Sequence, residues 1–263
     1  MQVVIIPTAE QVGRVAAAKV AKVVRDKADA VIGVATGSSP LTIYADLARR
    51  VDAGELDFSA VRAFALDEYV GLDLAHEQSY HSVIRNEVTE RLGLKPALVH
   101  VPDGSAADLP RACADYEQLI RDAGGVDIQI LGIGANGHIG FNEPTSSFAS
   151  RTRIKTLAPR TRADNARFFH DDLEQVPTHC LTQGLATILD ARRLVLVATG
   201  AGKADAVAAM VEGPLSSMCP GTALQLHPDA TVIVDEDAAS RLILADYYRH
   251  TYAHLPAWQR YED

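Results

Sequence analysis

The chain has 263 residues, of which 48% are hydrophobic and 22% are charged, a composition typical of a globular protein with one large core. Its formal net charge of -9 argues against nucleic acid as a partner, but a small anionic substrate would need only a few local cations. No apolar run approaches the length of about 18 residues that a membrane span requires, so no membrane partner is expected.

The cysteines indicate a reducing compartment. Cys113, Cys180 and Cys219 are far apart and odd in number, and they form no Cys-x-x-Cys pair. This pattern favours free thiols and predicts no zinc site. The N-terminal residues do not combine a basic segment with a long apolar one, so no signal peptide is expected. We therefore expect a cytoplasmic protein.

Apolar strands alternate with amphipathic helices in the first half of the chain. The sequence Thr8-Ala9-Glu10-Gln11 fits a capping box, which predicts a helix to about residue 25. Further helices are expected from Pro40 to about residue 51 and over residues 79–92 and 110–123. The predicted strands cover residues 3–6, 30–35, 61–66, 98–101 and 126–133.

The same alternation continues in the second half of the chain. Strands are expected over residues 151–157, 193–198 and 230–234, and helices over residues 160–170, 203–211 and 238–250. This order predicts an α/β fold, in which an open, mainly parallel sheet carries helices on both faces as a Rossmann-like three-layer sandwich. No linker divides the chain, so we expect a single domain over residues 1–263, with a mobile lid over about residues 150–177.

Small polar residues follow the second predicted strand, in the sequence Thr36-Gly37-Ser38-Ser39-Pro40. Their small side chains expose backbone N–H groups, hydroxyls add donors, and proline suits the first turn of a helix. A helix that begins with such a loop is a natural phosphate site. An ordinary strand-to-helix turn is the alternative interpretation.

Two acidic residues, Asp67 and Glu68, directly follow the third strand of the pattern. A carboxylate at the carboxyl end of a parallel strand can act as a general base if it faces a cleft. The alternative is a helix-capping or surface pair. Because side chains alternate along an extended chain, we expect only one of the two to reach a substrate.

The most informative segment is the turn Gly134-Ala135-Asn136-Gly137-His138-Ile139-Gly140-Phe141-Asn142-Glu143-Pro144. Its glycines allow a sharp turn close to a ligand, while His138 and Glu143 can transfer protons near neutral pH. One histidine and one glutamate are too few for a zinc site, and no helix opens here as a dinucleotide site requires. We interpret the turn as a proton-transfer site; a hydrogen-bonded structural histidine is the alternative.

Two cations are candidate phosphate ligands. Lys203 follows Gly200-Ala201-Gly202 at the start of a predicted helix, which adds backbone donors to its charge. Arg167 lies within a predicted helix and could instead be a solvated surface residue.

Motifs spread along the chain match one known family. They are Thr36-Gly37-Ser38-Ser39-Pro40, Leu66-Asp67-Glu68-Tyr69-Val70-Gly71, Gln78-Ser79-Tyr80-His81-Ser82, Gly137-His138-Ile139-Gly140-Phe141-Asn142-Glu143-Pro144, Ser150-Arg151-Thr152-Arg153 and Leu224-Gln225-Leu226-His227-Pro228. Through these motifs the chain resembles the glucosamine-6-phosphate deaminases over nearly its whole length.

The resemblance implies conversion of glucosamine 6-phosphate and water into fructose 6-phosphate and ammonia, with neither an organic cofactor nor a metal. It implies that His138, assisted by Glu143, passes a proton to the ring oxygen to open the ring, and that Asp67 then moves a proton between C2 and C1. The phosphate would be held by Thr36, Gly37, Ser38, Ser39, Arg167 and Lys203.

The resemblance is incomplete at Asn136, where some members of the family carry aspartate beside the matching histidine and glutamate. An asparagine can accept a hydrogen bond through its carbonyl, but it cannot stabilise an imidazolium by charge. Protonation of His138 is therefore expected to differ between this chain and the members that carry aspartate.

Regulation differs among the proteins that the chain resembles. Some are hexamers that N-acetylglucosamine 6-phosphate activates through residues matching Ser146, Arg153 and Lys155, and others are monomers. Near the C-terminus, where the activated members use a tyrosine, the matching position is Arg249, beside Tyr247 and Tyr248. The resemblance thus leaves both activation and homo-oligomerisation open.

Two other functions compete with the deaminase reading. A 6-phosphogluconolactonase also uses a glycine-rich Gly-His turn, but its pattern lacks the continuation at residues 141–144 and the strand end at residues 67–69. A non-catalytic sugar-phosphate sensor would carry a DNA-binding module, usually basic, for which this acidic chain has no spare residues.

Overall fold

The structure, a computed structural model, describes residues 1–256 and 259–260. The strands within this part of the chain are β1 (Gln2–Ile6), β2 (Val31–Val34), β3 (Arg62–Ala65), β4 (Asp67–Tyr69), β5 (Val99–His100), β6 (Ile128–Leu131), β7 (Arg153–Thr156), β8 (His179–Thr182), β9 (Leu194–Ala198) and β10 (Ala230–Asp235).

The α-helices alternate with these strands. They are α1 (Ala9–Asp26), α2 (Leu41–Asp52), α3 (Tyr80–Ile84), α4 (Glu90–Leu92), α5 (Leu109–Asp122), α6 (Pro159–Asn165), α7 (Leu185–Leu189), α8 (Ala204–Val211), α9 (Glu236–Ala239) and α10 (Ala245–Ala253). Among the described residues, no helix combines the length and the apolar character needed to cross a membrane.

Seven strands form one sheet in the order β1-β10-β9-β6-β2-β3-β5, and every pairing in it is parallel. Its central strands are buried along their whole length, so the sheet forms the middle of the hydrophobic core and helices pack against it. Strands buried on both faces read as continuous apolar runs, which is why the sequence pattern found them. The predicted single-domain α/β fold is confirmed.

Local signals set the first helix as predicted. The Thr8 hydroxyl accepts a hydrogen bond from the backbone N–H of Gln11 at 3.3 Å, so this threonine caps α1. Where α1 crosses α2, a side chain on Gly13 would overlap Thr42, and glycine therefore permits the two helices to pack closely.

A second sheet, which the sequence pattern did not predict, contains the antiparallel strands β4-β8-β7. The chain leaves β3 at Ala65 and enters β4 at Asp67, so a single residue separates the two sheets. The strand expected over residues 151–157 lies here as β7. Its partners β4 and β8 have only three and four residues, too few for an alternating pattern to be recognised.

Two predicted helices change form along their length in the structure. Residues 80–92 are helical, but Arg85–Thr89 is a π-helical turn between α3 and α4. The helix expected over residues 160–170 ends at Asn165 and continues as the 3₁₀ turn Ala166–Phe168.

The prediction of a single helix over residues 238–250 was wrong, because the chain forms two helices, α9 and α10, with a break between them. The Glu212 carboxylate accepts the backbone N–H groups of Ile243 and Leu244 at 2.8 Å each, and these bonds stabilise the break. The mobility of residues 150–177 stays a prediction.

Candidate active site

Four neighbouring strands, β9, β6, β2 and β3, end at one cavity of about 290 Å³. The loops that follow them bring the predicted residues together, since the carboxyl ends of parallel strands share one edge of the sheet. The predicted residues that line this cavity are Thr36, Gly37, Ser38, Ser39, Asp67, His138, Arg167 and Lys203. Asn136 and Glu143 do not line the cavity. Asn136 contacts His138, and Glu143 in turn contacts Asn136.

Asp67 presents its carboxylate to the cavity. The side chain is only 6% exposed, and no group within the described residues donates a hydrogen bond to it. Burial, and then the negative charge of Glu68, raise the pKa of the Asp67 carboxyl well above its usual range. An unpaired carboxylate of raised basicity in a cavity is suited to accept a proton from a ligand.

Glu68 points away from the cavity, as side-chain alternation predicted. Its carboxylate accepts backbone N–H groups of Tyr69, Tyr80 and His81 at 2.8, 2.9 and 2.8 Å. The last two lie in the first turn of α3, so Glu68 stabilises the start of that helix. Burial raises the pKa of Glu68 although these bonds oppose the shift. The capping interpretation therefore applies to Glu68 and not to Asp67.

His138, Asn136 and Glu143 form a chain of hydrogen bonds. The Asn136 Oδ1 atom lies 2.7 Å from His138 Nδ1, and Asn136 Nδ2 donates to Glu143 Oε2 at 2.7 Å. His138 Nδ1 and Glu143 Oε2 are 3.8 Å apart, beyond hydrogen-bond distance. Glu143 is thus linked to the imidazole by hydrogen bonds only through Asn136, while its charge acts on the ring directly across 3.8 Å.

This arrangement fixes the tautomer of His138. Because the Nδ2 atom of Asn136 is the donor to Glu143, its Oδ1 atom faces the imidazole and can only accept. His138 Nδ1 must therefore carry the hydrogen, which leaves Nε2 as the atom that can exchange a proton with a ligand. Burial lowers the pKa of His138 despite the opposing charge of Glu143, and so favours the neutral ring.

The turn that holds His138 is tightly packed. A side chain on Gly134 would overlap the imidazole, so glycine at this position makes room for the ring. Gly137 has a φ of 84°, in the left-handed region, and a Cβ atom there would lie 2.5 Å from Cys219 Sγ. Both glycines are required by contacts that the motif alone could not reveal.

The predicted phosphate residues line the same cavity. Residues 36–39 precede α2, and Gly37 has a φ of 89° that turns the loop back toward the helix N-terminus. The Lys203 ammonium donates to the Ile133 carbonyl at 2.7 Å. Burial and then the charge of Arg167 lower the pKa of Lys203. A cavity lined by two cations and by the N-terminus of a helix is suited to an anion such as a phosphate.

Arg167 is exposed, and its guanidinium lies 4.7 Å from the centre of the Phe168 ring. Both residues belong to the 3₁₀ turn after α6 and line the cavity. Arg167 therefore reaches the site as predicted, although it is not in the α-helix where the sequence had placed it.

An aromatic wall of the cavity was missed by the sequence reading. Tyr69 lies against Tyr80, Phe141 and Phe169, with ring centres 4.8, 5.8 and 5.7 Å apart. The side chain of Asn165, at the end of α6, donates to the Tyr69 hydroxyl at 3.1 Å. The available signal was that Tyr69, Tyr80 and Phe141 all lie in the motifs that the chain shares with its family.

The three residues predicted to bind an activator lie outside the cavity. Ser146 is buried, and its hydroxyl donates to the Glu143 carbonyl at 2.7 Å. Arg153 and Lys155 are two positions apart on β7, so they share one face of the edge strand of the second sheet. Their role in regulation stays a prediction.

Comparison with known proteins identifies the family. A family model described as glucosamine-6-phosphate isomerases/6-phosphogluconolactonase matches residues 7–233. The chain belongs to this family. Within the glucosamine-6-phosphate isomerase/6-phosphogluconolactonase family, a glucosamine-6-phosphate deaminase of Arthrobacter sp. (strain FB24) is 61% identical, covering 98% of this chain and 99% of the relative. One from Streptomyces coelicolor is 59% identical, with the same coverage.

Solved structures with the same fold differ in how similar their sequences are to this chain. A monomeric glucosamine-6-phosphate deaminase is 42% identical, with a TM-score of 0.89, covering 92% of this chain and 100% of that structure. A 6-phosphogluconolactonase from Trypanosoma cruzi is 18% identical with a TM-score of 0.72, covering 92% and 97%, and this likeness extends to the fold alone.

Proposed function

We propose that this chain converts glucosamine 6-phosphate and water into fructose 6-phosphate and ammonia. The observation that carries the proposal is the arrangement in one cavity of an unpaired carboxylate, an imidazole with one free nitrogen, and two cations with the loop of residues 36–39. The identity of about 60% to glucosamine-6-phosphate deaminases over nearly the whole chain supports the same reaction.

The phosphate anchors the substrate. The backbone N–H groups and hydroxyls of Thr36, Gly37, Ser38 and Ser39 bind its oxygens, together with Lys203 and Arg167. Binding energy from a group that does not react then holds C1 and C2 against the acid-base residues.

Ring opening is assigned to His138. Its neutral Nε2 atom takes the proton of the anomeric hydroxyl and returns it to the ring oxygen, so that the C1–O5 bond breaks and the aldehyde forms. Asn136 keeps the proton on Nδ1, and the charge of Glu143 stabilises the transient imidazolium.

Asp67 is assigned the carbon-to-carbon proton transfer. Its carboxylate removes the proton from C2 of the open chain while a proton passes from the substrate's ammonium group to the aldehyde oxygen, which gives an enolamine. Asp67 then delivers its proton to C1, which gives the protonated imine of the ketose. Water adds to this imine at C2, and ammonia leaves as the C2 carbonyl forms. No electron acceptor or donor is consumed, so the proposal assigns no role to an organic cofactor or to a metal.

The wider setting follows from this reaction. We propose that the enzyme works in the cytoplasm, where phosphorylated amino sugars are used as carbon and nitrogen sources. A 6-phosphogluconolactonase activity is the less favoured alternative, because its structural relatives share only the fold with this chain.

The test is to incubate the purified chain with glucosamine 6-phosphate and to measure ammonia and fructose 6-phosphate. We expect equimolar products without added nicotinamide or metal. Hydrolysis of 6-phosphogluconolactone without any ammonia from glucosamine 6-phosphate would refute the proposal. The Asp67→Asn variant should retain substrate binding but lose turnover by a factor of roughly 10² or more, and near-normal turnover would show that the base is another residue.

A further inference from the structure

Thr161 differs from the other buried threonines of this protein. It is 3% exposed and lines the cavity, yet its hydroxyl has no hydrogen-bond partner within the described residues. The other buried threonines among the described residues all have a side-chain hydroxyl in a hydrogen bond; they are Thr89, Thr152, Thr182, Thr187, Thr222 and Thr231.

An unpaired buried hydroxyl is costly, because it has lost its hydrogen bonds to water and gained none in exchange. A threonine within a helix usually bonds to a carbonyl one turn earlier, but Thr161 makes no such bond. Valine has nearly the same shape and would avoid this cost. A threonine at this position is therefore explained by a partner that occupies the cavity.

The position of α6 indicates which part of a ligand Thr161 would meet. Just before the helix, the backbone N–H of Ala158 donates to Glu143 Oε1 at 3.1 Å, and at its end Asn165 donates to Tyr69. Both anchors belong to the acid-base side of the cavity. Arg167, just after α6, is assigned to the phosphate. Together with the residue 36–39 loop and Lys203, it already supplies the phosphate with charge and backbone donors.

We propose that Thr161 determines specificity by forming a hydrogen bond with a hydroxyl or amino group of the sugar, an inference that rests on the proposed function. Rotation about its Cα–Cβ bond exchanges methyl and hydroxyl, and helical threonines populate two rotamers, so the hydroxyl can turn to the ligand when the cavity is filled. The residue binds substrate and takes no part in proton transfer.

The experiment compares Thr161→Val and Thr161→Ser with the wild type. In Thr161→Val we expect kcat/KM for glucosamine 6-phosphate to fall about tenfold, mostly through KM, because one hydrogen bond is lost. The unfolding temperature should stay the same or rise, since the unpaired hydroxyl is gone. Thr161→Ser should keep at least half of the wild-type kcat/KM. The inhibition constant of inorganic phosphate should not change.

Thr187→Val is the matched control, because its hydroxyl donates to Glu117 Oε1 at 2.6 Å outside the cavity. It should lower the unfolding temperature and leave KM unchanged, the reverse of Thr161→Val. Wild-type KM in Thr161→Val, or a loss of stability like that of Thr187→Val, would overturn the inference. A phosphate inhibition constant that rises in step with KM would also overturn it, by assigning Thr161 to the phosphate.

The two proposals fail separately. Absence of ammonia from the wild type would refute the proposed reaction alone. Thr161 could then still be tested by adding glucosamine 6-phosphate and measuring how far the unfolding temperature rises. A smaller rise in Thr161→Val than in the wild type supports the contact. An equal rise in the two proteins, or no rise in either, overturns it.

Discussion

Replacing Gly134 by alanine tests the placement of His138 directly. Gly134 has no positive φ, so alanine adds no backbone strain, but its methyl group would overlap the imidazole by more than about 1 Å. The ring must then move away from Asn136 Oδ1, which it contacts at 2.7 Å. A misplacement of about 1 Å in a catalytic group costs roughly 10²-fold in rate, equivalent to about 2.7 kcal/mol in the activation barrier.

The assay is kcat/KM for glucosamine 6-phosphate, measured beside the inhibition constant of inorganic phosphate. We expect the first to fall about 10²-fold and the second to change much less, because the imidazole has no hydrogen bond to Lys203, Arg167 or residues 36–39 within the described residues. Circular dichroism and the unfolding temperature would establish that Gly134→Ala is folded. A folded variant with wild-type kcat/KM would refute the assignment of ring opening to His138.

Three further predictions concern charge. Asp67 must be ionised to accept a proton, and its pKa is raised, so kcat/KM should begin to fall with decreasing pH well above the usual carboxyl range near about 4. Glu68→Gln removes a charge that raises this pKa and should therefore move the fall in kcat/KM to lower pH. The same variant should reduce the free energy of unfolding by about 1–3 kcal/mol, because it weakens the buried hydrogen bonds of Glu68. An unmoved pH profile would contradict the role of Glu68. Asn136→Asp should raise the pKa of His138, and an NMR titration of the imidazole that matches the wild type would contradict the contact. Lys203→Met should raise KM at least about tenfold with a smaller effect on kcat, whereas Lys22→Met on α1 should change neither; equal effects of the two would rule out a phosphate contact at Lys203.

The parallel sheet and the strand-end loops were predictable because each depends on a local pattern. Strands such as β2 and β6 are continuous apolar runs, and the residues after them are the ones that reach the ligand edge. Asp67 and His138 could be selected as candidates for the same reason. Knowledge of sheet geometry was enough to expect them in one cavity.

The remaining features depend on contacts between distant parts of the chain. The second sheet pairs residues more than 80 positions apart in β4 and β8, and no local signal marks so short a strand. The break between α9 and α10 depends on Glu212, which lies far from both in sequence. The indirect contact of Glu143 with His138 depends on side-chain geometry within the turn, which residue types cannot specify.

The second sheet decides which of two adjacent carboxylates faces the cavity. In its register, Asp67 lies opposite Thr182, and Thr182 lies opposite Arg153, so one row of residues runs from the outer edge strand to the cavity. A slip of one residue along this ladder would exchange the directions of Asp67 and Glu68. Strand pairing therefore selects which of the two acids can meet a ligand, and an error in register would empty the cavity of the carboxylate to which we assign the proton transfer.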